Sequence, residues 1–123
     1  MTLTSEKLAI DTADATPPYE QVRRRVAALI DTGELPVGER LPAVRQLATD
    51  LGLAAGTVAR AYRELEQAGL IETRRGAGTR VAGSEQRRAG LLREQARAYV
   101  EKARVLGFGD DEIAAAVTRE LRA

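Results

Sequence analysis

The sequence predicts a mostly α-helical fold with one small β-hairpin, and three observations carry that expectation. Apolar residues recur at helical spacing in successive segments, and glycine or proline stands between most of them. Strand character is concentrated in two short runs either side of Gly76-Ala77-Gly78. The composition, 44% apolar and 30% charged, is that of a globular chain and not of a disordered one.

Residues 1–16 are polar and rich in Thr, Asp and Ala, and they read as an N-terminal arm or, at Leu8-Ala9-Ile10, a short strand. Pro17-Pro18 then opens a helix, since proline is tolerated in the first turn. Val22, Val26, Leu29 and Ile30 form its apolar stripe, and Thr32-Gly33 marks its end. Gly33, Pro36, Gly38 and Pro42 make residues 33–43 a loop. A short helix over Val44–Leu51 buries Leu47, Ala48 and Leu51, and Gly52 interrupts it. The next helix, about Ala55–Ala68, turns Val58, Ala61, Tyr62 and Leu65 inward within roughly 100° of arc. Gly69 closes it. Leu70–Thr73 and Thr79–Val81 read as paired strands around the tip Arg74-Arg75-Gly76-Ala77-Gly78.

After Gly83 the pattern changes. Ala89, Leu92, Ala96, Tyr99, Ala103 and Leu106 recur at spacings of three and four, a heptad-like seam. Gly107-Phe108-Gly109 breaks that helix, and Asp110 is placed to cap a last one carrying Ile113, Val117 and Leu121. Asp110-Asp111-Glu112 reads better as a cap with favourable macrodipole charge than as a metal cluster.

Several classes of function are disfavoured. The chain has no cysteine and no histidine, which removes disulfides, thiol nucleophiles, Cys/His zinc sites and the commonest general base. An enzyme is not expected, and neither a cofactor nor a metal is. No apolar run approaches the ~18–20 residues that cross a bilayer, and no secretory pattern opens the chain, so a cytoplasmic protein with no membrane partner is expected. The net charge of +1 does not itself announce a polyanion partner. Its distribution says more: residues 17–83 carry +2, with tight groups at Arg23-Arg24-Arg25 and at Arg74-Arg75 with Arg80. The preference for Arg over Lys, 17 against 2, fits either phosphate recognition or genome base composition.

Helix, short helix, tight turn, helix and hairpin is the layout of a winged helix-turn-helix, in which the second helix of the motif lies in the major groove. The outward face of residues 55–68 begins with the small Ala55, Gly56 and Thr57, which permit close approach to a groove floor. Arg60 and Arg63 follow one turn on, within reach of phosphates or bases. The alternative is a solvated face whose Arg63 pairs with Glu64, Glu66 or Gln67. The hairpin adds three positive charges and no acid over residues 74–80, with Glu72 just before, around a tip narrow enough for a minor groove. An ordinary hairpin with surface arginines is the blander reading.

The string Leu41-Pro42-Ala43-Val44-Arg45-Gln46-Leu47-Ala48, then Gly52-Leu53, Thr57-Val58, Ala61-Tyr62-Arg63-Glu64-Leu65-Glu66, Gly69-Leu70-Ile71 and Arg74-Arg75-Gly76-Ala77-Gly78-Thr79 resembles the winged-helix domain of GntR-family transcription regulators. The resemblance spans residues 17–83, and Pro17–Val22 with Thr57–Tyr62 is most similar to the short-tailed YtrA-type branch. It implies that Arg45 reaches DNA, that Ala55, Thr57 and Ala59 lie where the recognition helix meets base edges and backbone, and that Gly76 enters the minor groove. Many relatives carry Arg or Asn-Pro-Asn where this chain reads Ala54-Ala55-Gly56-Thr57, which shifts readout toward methyl contacts from Ala55 and toward the wing.

The expectation is therefore a winged helix-turn-helix domain over 17–83 and a two-helix dimerisation tail over 84–123. Phosphate contacts fall to Arg45, Arg60, Arg74, Arg75 and Arg80, and groove contacts to Ala55, Gly56, Thr57, Arg63 and Gly76. The dimer surface falls to Leu92, Ala96, Tyr99, Ala103, Leu106, Ile113, Val117 and Leu121, which pack on their own chain, on a second copy, or on both in a four-helix interface. The implied function is that of a homodimeric repressor on a palindromic double-stranded operator; a winged-helix module that binds protein and not DNA is the alternative. Forty residues are too few to enclose a drug-sized cavity, and no effector is marked.

Overall fold

A computed structural model describes Leu3 and residues 5–123. The chain divides into two compact units, one ending at Leu91 and the other running from Leu92 to Ala123.

In the first unit the arm is not a strand. Ser5–Leu8 forms one helical turn, α1, and Ala9 follows in the left-handed region at φ 48°. A three-residue apolar run has no strand beside it to pair with, so burial decides its shape instead. Leu3 and Leu8 sink into the core, and α1 packs on the two helices that follow. The arm is also tied down by Gln21: its Nε2 donates to the carbonyls of Asp11 and Thr16, both at 2.8 Å, and its Oε1 accepts from the Asp11 N–H at 2.8 Å.

Helix α2 spans Pro18–Asp31, with Pro18 in its first turn and Val22 and Val26 fully buried. Helix α3 (Val44–Leu51) and helix α4 (Ala55–Gln67) have the bounds their apolar stripes predict, to within one residue. The turn between them works because Gly52 takes φ 68°, a conformation glycine adopts at no side-chain cost. The Gly52 and Leu53 N–H groups then donate to the Thr49 and Ala48 carbonyls, a Schellman stop. Val58, Ala61, Tyr62 and Leu65 are the buried residues of α4, and Tyr62 donates its hydroxyl to the Pro42 carbonyl at 2.7 Å. Burial pushes the Tyr62 phenol well above its ordinary pKa, so it stays a donor. Tyr62→Phe strands that carbonyl and is expected to cost about 1–2 kcal/mol, read as a lower urea midpoint at unchanged m-value.

The sheet has three strands where two are predicted. Strand β1 (Arg40–Leu41) lies inside the expected loop and pairs antiparallel with β3 (Gly78–Val81), which pairs in turn with β2 (Ile71–Arg74). Two residues between prolines show no alternation, so β1 exists only because β3 offers it a ladder. The hairpin strands sit one residue further toward the tip than predicted: Arg74 and Gly78 face each other in the ladder, and the tip is Arg75-Gly76-Ala77. Leu41, Ile71 and Val81 turn one sheet face into the core.

Helix α5 runs Ser84–Val105, and its first turns belong to the first unit. There Arg87 pairs with Asp31 at the end of α2, and Gly90 is buried against the turn after α4.

In the second unit the rest of α5 and helix α6 (Asp110–Leu121) bury Ala103 and Ile113. A Schellman stop ends α5, with Gly107 and Phe108 N–H donating to the Arg104 and Ala103 carbonyls. The cap of α6 is Gly109 and not Asp110. Asp110 is instead held by Arg104, Nε to Oδ1 at 3.1 Å and Nη2 to Oδ2 at 3.2 Å, while the Glu112 carboxylate accepts from the Gly109 N–H at 3.3 Å. An aspartate already held bidentately by a guanidinium is drawn away from the cap, and the longer Glu112 reaches back in its place. Among the described residues no helix is long and apolar enough to cross a membrane.

Candidate nucleic-acid interface

The first turn of α4 is open. Ala55 and Gly56 are exposed, Thr57 and Ala59 half-buried, and no side chain caps the helix. Its leading N–H groups therefore keep their capacity to donate outward, at the positive end of the helix dipole. Helix α3 packs directly on α4 and carries Arg45, whose side chain is exposed and has no hydrogen-bond or ion-pair partner among the described residues. The Arg63 side chain is exposed and equally unpartnered among them, so the pairing with Glu64, Glu66 or Gln67 considered from the sequence is not the one that forms.

It is Arg60 that pairs with Glu64, Nε to Oε2 at 3.2 Å. Its guanidinium carbon also lies 3.7 Å from the centroid of the Tyr19 ring, a cation–π contact that holds it toward α2. Arg60 thus stands apart from Arg45 and Arg63. Two of the Arg23-Arg24-Arg25 group are drawn the same way: Arg23 and Arg24 both donate to Glu20, and Arg23 lies 3.8 Å from Glu64, whereas the Arg25 side chain is exposed. The hydrogen bond from Arg23 is the main cause that holds the Glu20 carboxyl below its ordinary pKa.

The hairpin is anchored to α4 by Glu66, whose carboxylate accepts from the Thr73 N–H at 3.1 Å. Arg74 pairs with Glu72 at 3.4 Å, and Arg80 donates to the Gly38 carbonyl at 3.1 Å. Arg75 at the tip is exposed and has no such partner among the described residues. Nothing lies within 4 Å of where a Gly76 side chain would begin, so the tip projects into open space.

Sequence reasoning missed Arg40. Strand β1 sets it directly opposite Arg80 in the ladder, on the face away from the core. Only the antiparallel register could reveal it, because 40 and 80 are far apart in the chain. Of the eight residues expected at the dimer surface, Ala103 and Ile113 are buried within their own unit, whereas Leu92, Ala96, Tyr99, Leu106, Val117 and Leu121 remain exposed. Two open grooves, of about 460 and 600 Å³, flank the α5–α6 contact in this unit.

A tight helix pair, an uncapped outward helix and an arginine-bearing wing define a winged-helix DNA-binding domain of the kind transcription regulators carry, not an enzyme. The pattern of the bacterial regulatory proteins of the gntR family matches residues 18–81, just over half of the chain, and the chain belongs to that family. It is 45% identical over 101 residues to the HTH-type transcriptional regulator Rv1152 of Mycobacterium tuberculosis, covering 82% of this chain and 83% of that one. It is 43% identical over 75 residues to the HTH-type transcriptional repressor YtrA of Bacillus subtilis, covering 61% and 58%. Among solved structures, YtrA from Sulfolobus acidocaldarius, a GntR-family transcription factor, aligns at TM-score 0.59 and 32% identity over 92% of this chain and 95% of that one. The DNA-binding domain of AraR in complex with operator ORX1 aligns at TM-score 0.51 and 28% identity over 55% and 81%.

Proposed function

We propose that this chain is a sequence-specific repressor that binds a palindromic operator, near its own promoter, as a homodimer. Residues 17–83 are the DNA-binding domain in this reading, 1–16 an arm tied to it and 84–123 the dimerisation tail. The observation that carries the reading is that Arg45, Arg63 and Arg75, placed on α3, α4 and the wing, each present an exposed side chain with no intramolecular partner among the described residues. Guanidinium groups left unpaired around an open helix N-terminus suit a phosphate backbone. Ala55, Gly56, Thr57, Ala59 and Gly76 take the groove contacts, where small side chains let backbone and methyl groups approach base edges, and Arg63 reaches into the groove beside them. Arg60, Arg74 and Arg80 join the phosphate contacts by exchanging Glu64, Glu72 and the Gly38 carbonyl for DNA. Cytoplasmic residence follows from a DNA partner.

The dimer is supported by the uncovered apolar residues of α5 and α6. A single module of this size makes too small an interface for tight specific binding, and a two-fold pair doubles it on a palindrome. The YtrA relative of Bacillus subtilis is named a repressor, which supports that direction of control.

Selection from a random duplex pool, followed by affinity against salt, tests the reading. A palindromic winner with a steep salt slope supports it; no preferred sequence and a slope near zero favour a protein-binding module. Arg75→Ala is expected to weaken binding to all sequences and to flatten the log–log salt slope by about one unit, as one phosphate contact is lost. An unchanged slope removes Arg75 from the phosphate contacts.

A further inference from the structure

We propose that Arg40 is a DNA-phosphate contact, seated with Arg80 on the outer face of the three-stranded sheet; the inference rests on the DNA-binding reading above. The cross-strand row on that face is Arg40, Arg80 and Glu72, in the order of the three strands. Glu72 stands opposite Arg80 and is placed to neutralise it, yet its carboxylate pairs with Arg74. Arg80 turns to the Gly38 carbonyl, a neutral acceptor that offsets no charge. Two guanidinium-bearing residues therefore face each other in an antiparallel ladder with no carboxylate paired to either. Like charges directly opposite on one sheet face destabilise it, and a bound anion removes that cost.

The seat is also shaped. The Arg40 guanidinium lies over Gly78, and a side chain there would begin 3.1 Å from Nη2 and 3.3 Å from Nε. Glycine at 78 thus leaves the space that the guanidinium occupies, beside the turn that carries Arg75. The occupant is a phosphodiester of the duplex, because Arg75 and Gly76 sit on the same hairpin and a planar fork matches phosphate oxygens.

The test uses the full chain and its selected operator. Arg40→Gln keeps a polar stem of similar course and removes the charge; Arg40→Lys keeps the charge. Arg40→Gln is expected to bind about five- to ten-fold more weakly at ~0.1 M salt, with the salt slope flattened by about 0.9 and base preference unchanged, while Arg40→Lys retains the parental slope. A methylphosphonate scan of the operator is expected to find one phosphate whose neutralisation weakens the parent and leaves Arg40→Gln indifferent. Parental affinity and slope in a folded Arg40→Gln, with Arg75→Ala still impaired, overturn the seat and leave DNA binding standing. An altered base preference in Arg40→Gln overturns it too, since a phosphate contact carries no sequence. Should Arg40→Gln not fold, a parental scan with no sensitive phosphate beside the wing overturns it. Loss of salt dependence in the parent itself sinks the reading underneath.

Discussion

Glutamate at both Leu92 and Tyr99 is expected to leave the chain monomeric and to lower operator affinity by about 10²-fold or more, the scale on which a linked second site contributes. Leu92 is 74% exposed and Tyr99 40% exposed, although both are apolar and lie on one seam of α5. In the proposed dimer the partner copy covers them, and a carboxylate in that apolar contact either keeps water in the interface or is buried unpaired. Tyr99 also donates to the Ile113 carbonyl at 3.3 Å, so its replacement loosens the α5–α6 contact as well. Leu92→Glu alone separates the two effects, because Leu92 makes no such bond. Sedimentation velocity reads the outcome. Intact dimers in the double variant remove this seam from the interface.

The second large effect opposes helix propensity. Gly→Ala inside a helix normally stabilises by about 1 kcal/mol. Gly90→Ala is expected to destabilise instead, by about 3 kcal/mol, and to lower the melting temperature by roughly 10–20 °C. The new Cβ would lie 2.2 Å from the Ala68 carbonyl carbon and oxygen and 2.4 Å from the Gly69 nitrogen. These are backbone atoms of a turn, and they cannot swing aside as a side chain can. Gly69 is the other half of the crossing: at φ 75° its own Cβ would meet the Gln86 carbonyl oxygen at 2.1 Å. The first turns of α5 must lift from the turn after α4, and the Arg87–Asp31 pair is stretched with them. Ala89→Gly, at the exposed neighbouring position, serves as the control and is expected to cost only about 1 kcal/mol. A rise in melting temperature for Gly90→Ala would show that α5 does not rest on the turn.

What the sequence by itself determined is local and periodic. The bounds of α3 and α4, the buried stripe of α4, the burial of Leu47 and Ala48 on α3 (Leu51, expected with them, is only half-buried) and the stop at Gly52 follow from side-chain spacing and from the conformations open to glycine, and none needs a distant partner. The family string adds the class of domain, since it spans these same residues. The tertiary structure alone decided the rest. Leu8 joins a helical turn and not a strand because core burial was available and a pairing edge was not. Arg40 meets Arg80 through the β1–β3 ladder, Arg60 is drawn onto Tyr19 of α2, and Gly69 meets Gly90 across the α4–α5 crossing. Each of these three contacts joins residues at least twenty-one positions apart, Gly69 and Gly90 being the closest pair in the chain. Periodicity reports which face a residue occupies within its own element; only packing decides what stands opposite it.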